Sequence, residues 1–114
     1  MAASKPDLKP GPQGAVELRC EAHVCEAFDL LGKRWTGLVL ALLLQRPARF
    51  GELAKAIPGI SEMILSQRLQ ELQEAGVVER RESLYALTSL GQLLGPAVGE
   101  IEEWATGLRS RSYR

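Results

Sequence analysis

The sequence predicts a mainly α-helical domain with one small β-hairpin, a winged helix-turn-helix that dimerises through its N- and C-terminal helices. Three observations predict it. Two short helical periods, over residues 50–57 and 61–75, flank a Pro58-Gly59 break, the pattern of two helices joined by a tight glycine-containing turn. The period then becomes extended over residues 77–81 and 84–87, two β-compatible runs joined by Glu82-Ser83. Finally, the last helical stretch carries Leu93, Leu94, Val98, Ile101, Trp104 and Leu108, more apolar surface than so small a head needs. That excess is expected to bury against a second copy of the chain.

Each element follows from local signals. Residues 1–14 are rich in Pro, Gly and Lys and are expected to form a flexible tail, with the domain spanning residues 15–108 and a basic tail over 109–114. Val16, Val24, Ala27, Phe28 and Leu31 recur at helical spacing, and Gly32 supplies a C-terminal stop. A second helix, residues 35–44, is apolar on nearly every side and is expected to be the buried central one. Pro47 ends it, having no N–H for the helical ladder. In the third helix Phe50, Leu53, Ala54 and Ile57 follow the i, i+3, i+4, i+7 pattern. Ser61 is placed to cap the fourth helix and Gly76 to close it. Thr88 or Ser89 is expected to cap a single last helix that bends near Pro96.

Composition bounds the function. The 114 residues, 46% of them hydrophobic, suit one domain with an aliphatic core. The net charge is zero, unlike that of a typical nucleic-acid binder. The charge is unevenly spread, however. Residues 33–81 hold Lys33, Arg34, Arg46, Arg49, Lys55, Arg68, Arg80 and Arg81 against five acids, a surplus of three. The start has no apolar stretch of signal-peptide type, and the longest apolar run, residues 38–44, is too short for a bilayer. A cytoplasmic protein without membrane contact is expected.

The fourth helix is the candidate reading element. At 100° per residue Leu69 and Leu72 lie within roughly 40° of Leu65, so these three face the core. Met63, Gln67, Gln70 and Glu74 lie opposite, with Ser66 at the flank. The N-terminal part of a recognition helix meets base edges in the major groove of duplex DNA. Met63, Ser66, Gln67 and Gln70 are therefore the candidate base readers, because Gln pairs with adenine, Ser with several bases, and Met packs on a thymine methyl. Ser61, at the start of that helix, joins the candidate DNA-binding set. Arg46, Arg49, Lys55, Arg68, Arg80 and Arg81 are the candidate phosphate contacts, which position a protein without specifying sequence.

Several motifs together resemble the HxlR-type transcriptional regulators. They are Phe28-Asp29-Leu30-Leu31-Gly32-Lys33-Arg34-Trp35; Arg49-Phe50-Gly51-Glu52-Leu53; Ile57-Pro58-Gly59-Ile60-Ser61; Leu65-Ser66-Gln67-Arg68-Leu69-Gln70-Glu71-Leu72; Gly76-Val77-Val78-Glu79-Arg80; and Tyr85-Ala86-Leu87-Thr88-Ser89-Leu90-Gly91. The resemblance spans about residues 20–108 and implies a homodimeric regulator of transcription, often responsive to oxidants, electrophiles or aldehydes. Some members of the family sense through an N-terminal cysteine, whose position would fall here on Glu21 or Ala22. The chain has Cys20 and Cys25 instead, and Cys20 lacks the proline that commonly follows. The wing is shorter than the family's, and Glu62 and Met63 stand where polar or basic residues are common.

Cys20 and Cys25 are the redox-sensing candidates, set against the plainer reading of two small structural hydrophobes. Cys20 is favoured because Arg19 beside it supports a thiolate. On one regular helix their Cα atoms would be roughly 8–9 Å apart, beyond disulfide reach, so no intrachain bridge is expected. His23 lacks a metal-binding companion, and neither metal, cofactor nor catalytic constellation is expected. The alternative to a DNA-binding regulator is a winged-helix protein-interaction module. A thiol-based redox enzyme has only the two cysteines in its favour.

Overall fold

The computed structural model describes residues 17–110. The helical start at Val16, the 1–14 tail and the arginines at 111 and 114 lie outside the described residues. The chain runs α1 (Ala22–Leu31), α2 (Thr36–Gln45), β1 (Ala48–Arg49), α3 (Phe50–Ala56), α4 (Glu62–Glu74), β2 (Val78–Arg81), β3 (Leu84–Leu87), α5 (Ser89–Gln92) and α6 (Gly95–Ser110). This is a winged helix-turn-helix, as the change of period foretells.

The core is aliphatic and sits among α2, α3, α4 and the sheet. Val39, Leu40 and Leu43 of α2 meet Leu53 of α3 and Leu65, Leu69 and Leu72 of α4, closed below by Val78, Tyr85 and Leu87. The three leucines of α4 are 0%, 1% and 0% exposed, forming the inner face that the 100° spacing predicts. The α2 helix is less enclosed than its composition suggests. Its inner stripe is buried, but Leu38 is 53% exposed, because none of the described elements covers its outer side.

Backbone chemistry fixes the entry and exit of α4. Gly59 takes φ +85° in the Pro58-Gly59 turn, a conformation that glycine adopts without steric cost. Ser61 caps the helix, its Oγ accepting from the Ile64 N–H at 3.1 Å. At the far end Gly76 adopts φ +79°, and the Val77 N–H donates to the Leu72 carbonyl at 3.0 Å. That closure turns the chain directly into β2.

Three features differ from expectation. The hairpin has a third strand: β1 pairs antiparallel with β3, Ala48 opposite Tyr85 and Arg49 opposite Leu84, giving the order β1-β3-β2. Two residues carry no readable period, so only the tertiary pairing reveals it. The α1 helix begins at Ala22, leaving Cys20 outside it. The last helix is two helices, not one bent near Pro96. Thr88 caps α5, accepting from the Gly91 N–H at 3.2 Å, and the chain turns at Leu93 and Leu94 before α6. Pro96 occupies the first turn of α6, where its missing N–H costs no helical bond, so it starts a helix instead of kinking one. Gly91 is required at that corner, since a Cβ there would collide with the Val77 carbonyl oxygen.

Candidate nucleic-acid interface

The α4 helix presents the predicted reading face outward. Met63 is 69% exposed, and Ser66, Gln67 and Gln70 are exposed beside it. Gln70 is engaged along the helix, its Nε2 donating to Glu74 at 3.3 Å. Ser61 is committed to the cap. Met63, Ser66 and Gln67 therefore remain available on the N-terminal half, on a helix whose inner face is locked in the core.

The six predicted phosphate contacts separate into groups. Arg68 points inward: its side chain is 16% exposed. Its Nε donates to the Arg34 carbonyl at 3.1 Å, and its Nη1 reaches both carboxylate oxygens of Glu71 at 3.1 and 3.2 Å. Lys33 joins the same carboxylate at 3.0 Å. These contacts fasten the α1–α2 loop to α4. Hydrogen bonding from Lys33, with the nearby charges, holds the Glu71 carboxyl below the usual range against the opposing effect of burial.

Arg46 is also occupied. Its two terminal nitrogens meet Glu52 at 3.3 and 3.1 Å, and Nη1 donates to the Pro47 carbonyl at 2.8 Å. Glu52 accepts the Arg49 N–H at 2.9 Å as well, so one carboxylate pins the start of α3 as the third-position acid of a capping box does. The hydrogen bond from Arg46, followed by that from Arg49, lowers its pKa to about 2. Arg81 pairs with Glu79 at 2.7 Å on the exposed face of β2, a surface pair of small energetic weight.

Arg49, Lys55 and Arg80 are exposed and form no ion pair among the described residues. Arg49, on β1, reaches across to the wing tip, its Nε 3.4 Å from Ser83 Oγ. Arg80 lies over the Tyr85 ring, 5.4 Å from its centroid, and donates to the Glu82 carbonyl at 3.0 Å. The tip itself is a two-residue connection with Glu82 at φ 56°, so the wing projects little beyond the sheet.

The cysteines overturn the argument against an intrachain bridge. Cys20 and Cys25 are paired, their Cα atoms 6.1 Å apart, within the range that a disulfide spans. The two residues do not share one continuous helix, because α1 starts two residues after Cys20. Sequence reasoning also missed the Lys33–Glu71–Arg68 cluster. Its Arg68–Glu71 half has a readable i, i+3 spacing, whereas Lys33 lies 38 residues away. No group of metal-ligating side chains occurs among the described residues. None of the described helices is long and apolar enough to cross a membrane.

Comparison with known proteins agrees with this geometry. A family model described as HxlR-like helix-turn-helix matches residues 30–113. The uncharacterized HTH-type transcriptional regulator YvaP of Bacillus subtilis is 42% identical over 88 residues, 71% of this chain and 82% of that protein. The HTH-type transcriptional regulator YodB of the same organism is 41% identical over 86 residues, 69% of this chain and 77% of the relative. Quinone-bound YodB superposes with a TM-score of 0.70 at 41% identity, covering 75% of this chain and 97% of that one. YodB is also known in reduced and diamide-treated forms. The redox regulator HypR in its reduced form gives a TM-score of 0.70 at 28% identity, covering 81% of this chain and all of that one. With a family match across most of its length and relatives above 40% identity, the chain belongs to the HxlR-like helix-turn-helix transcriptional regulators.

Proposed function

We propose that the protein binds operator DNA as a homodimer in the cytoplasm, with Met63, Ser66 and Gln67 reading bases and Arg49, Lys55 and Arg80 holding phosphates. The observation that carries this reading is the exposed N-terminal half of α4, held rigidly by three fully buried leucines. Arg46, Arg68 and Arg81, occupied by carboxylates, serve positioning within the fold more than phosphate contact. Arg109 lies in α6, which extends past the expected domain end at residue 108. For the dimer, the supporting observation is the apolar surface left on the terminal helices. Phe28 is 67% exposed on α1, and Ile101 and Trp104 are 59% and 65% exposed on α6. Two copies would space two recognition helices for two half-sites.

A thiol response completes the reading, supported by the cysteine pair and by the solved redox states of YodB and HypR. The test is selection of preferred sites from random duplex DNA, with and without a thiol oxidant, followed by titration against salt. A steep loss of affinity with salt, and a further loss on Gln67→Ala, is the expected result. Absence of duplex binding at low salt would overturn it in favour of a protein-interaction module. Operator loss in peroxide that persists in Cys20→Ser would remove Cys20 from the response.

A further inference from the structure

We propose that Cys20 and Cys25 form an intrachain dithiol–disulfide switch that decides where α1 begins. It deepens the thiol response proposed above, and rests on that reading only for its consequence at DNA.

The helix starts later than its sequence requires. Glu17, Leu18, Arg19 and Glu21 are compatible with helix, and the two glutamates would suit the positive end of the helix dipole. Yet residues 17–20 are not helical, and Glu21 is extended at φ −64°, ψ 138° without a side-chain cap. Residues 17–20 are all exposed, Leu18 fully, so no packing among the described residues holds this segment in its present path. The constraint on it is the cysteine pair. Cys25 is half-buried on α1, Cys20 is exposed before it, and their Cα atoms lie 6.1 Å apart. A continuous helix through both would separate those atoms by about 8–9 Å, which no disulfide spans. Closure of the bridge and helix across residues 20–25 therefore exclude one another.

The two states differ at identifiable atoms. With the bridge closed, the first helical bonds run from the N–H groups of Val24 and Cys25 to the Glu21 carbonyl, at 3.0 and 2.9 Å. With it open, the N–H groups of Glu21, Ala22 and His23 gain the carbonyls of Glu17, Leu18 and Arg19. Leu18 then joins the stripe of Cys25, seven residues on. Growth over residues 18–21 lengthens α1 by about 6 Å.

The chemistry balances with a hydroperoxide as oxidant. One cysteine thiolate attacks a peroxide oxygen, the O–O bond breaks, and water or an alcohol leaves after protonation, giving a sulfenic acid. The second thiolate attacks that sulfur; the S–S bond forms as the S–O bond breaks, and hydroxide leaves to become water. Two thiols give up two electrons to one peroxide. An external dithiol reverses the step by exchange and becomes a disulfide itself.

The test compares the full chain in excess dithiol and after one equivalent of hydrogen peroxide, by intact mass, non-reducing denaturing electrophoresis and amide exchange. The oxidised chain should lose the mass of two hydrogens and still migrate as one chain. On reduction the amides of Glu21, Ala22 and His23 should exchange about fivefold more slowly, the protection an ordinary hydrogen bond gives. A Cys20→Ser/Cys25→Ser variant should stay in the slow-exchanging state in peroxide. A disulfide-linked dimer as the main product, or equal exchange at the three amides in both states, would overturn the switch. A linked dimer that still loses operator binding would leave the thiol response standing without this mechanism. Failure of the reduced chain to bind duplex DNA would instead overturn the proposed function while the mass and exchange results stood.

Discussion

Replacing Arg68 and Arg49 separately by alanine distinguishes an arginine that holds the fold from one that holds a phosphate. Arg68 makes a hydrogen bond to the Arg34 carbonyl and two to Glu71, and its side chain is 16% exposed. A charge-assisted hydrogen bond contributes roughly 1.5–3 kcal/mol. Water reaches the exposed Arg34 backbone after truncation, and Glu71 keeps Lys33 at 3.0 Å. The net loss for Arg68→Ala is therefore expected near the lower end, about 1–2 kcal/mol. For a domain of this size that lowers Tm by about 5–15 °C. Arg49 offers only a 3.4 Å side-chain contact to Ser83, so Arg49→Ala should leave Tm nearly unchanged. In DNA titrations well below either Tm the order reverses. Arg49→Ala should make the slope of log affinity against log salt shallower by about one per half-site, whereas Arg68→Ala should leave it unaltered. The assay pairs thermal melts with fluorescence anisotropy at four salt concentrations. A shallower slope for Arg68→Ala at unchanged Tm would refute the reasoning, because the guanidinium would then be meeting a phosphate.

Other perturbations test the remaining elements. The Glu52 carboxyl, lowered from 4.5 to about 2 by Arg46, should contribute stability that is fully present above about pH 4.5 and fades as pH falls through about 2. The difference in urea midpoint between the native chain and Glu52→Gln should be constant from pH 7 to 5 and shrink in more acidic buffer. Gly91→Ala should destabilise by about 1–3 kcal/mol in denaturant titrations, since its Cβ meets the Val77 carbonyl and the Leu87 side chain. Trp104→Asp, placing a charge on a 65% exposed aromatic of α6, should bring the sedimentation mass at micromolar concentration down to that of one chain. An unchanged dimer mass would exclude α6 from the interface.

Much of this architecture is legible within short windows of sequence. The buried stripe Leu65, Leu69 and Leu72 follows from a 3.6-residue period, the Ser61 cap and Gly76 exit from local backbone chemistry, and the hairpin from a change to period two. The exposure of Met63, Ser66 and Gln67 follows from the same stripe, because whatever lies opposite a buried face is outside. Each of these depends on residues a few positions apart, so short-range chemistry is enough to set it. Other features arise only once the chain has folded. Ala48 and Arg49 become a strand only because Tyr85 and Leu84 lie beside them. Arg68 turns inward because a carbonyl 34 residues earlier is within reach. The cysteines meet only in a chain whose α1 starts after Cys20, a boundary that their spacing does not reveal. A pairing partner and a carbonyl in reach are set by where distant chain segments settle, and a helix start by a bridge between two side chains; no period in the sequence records either.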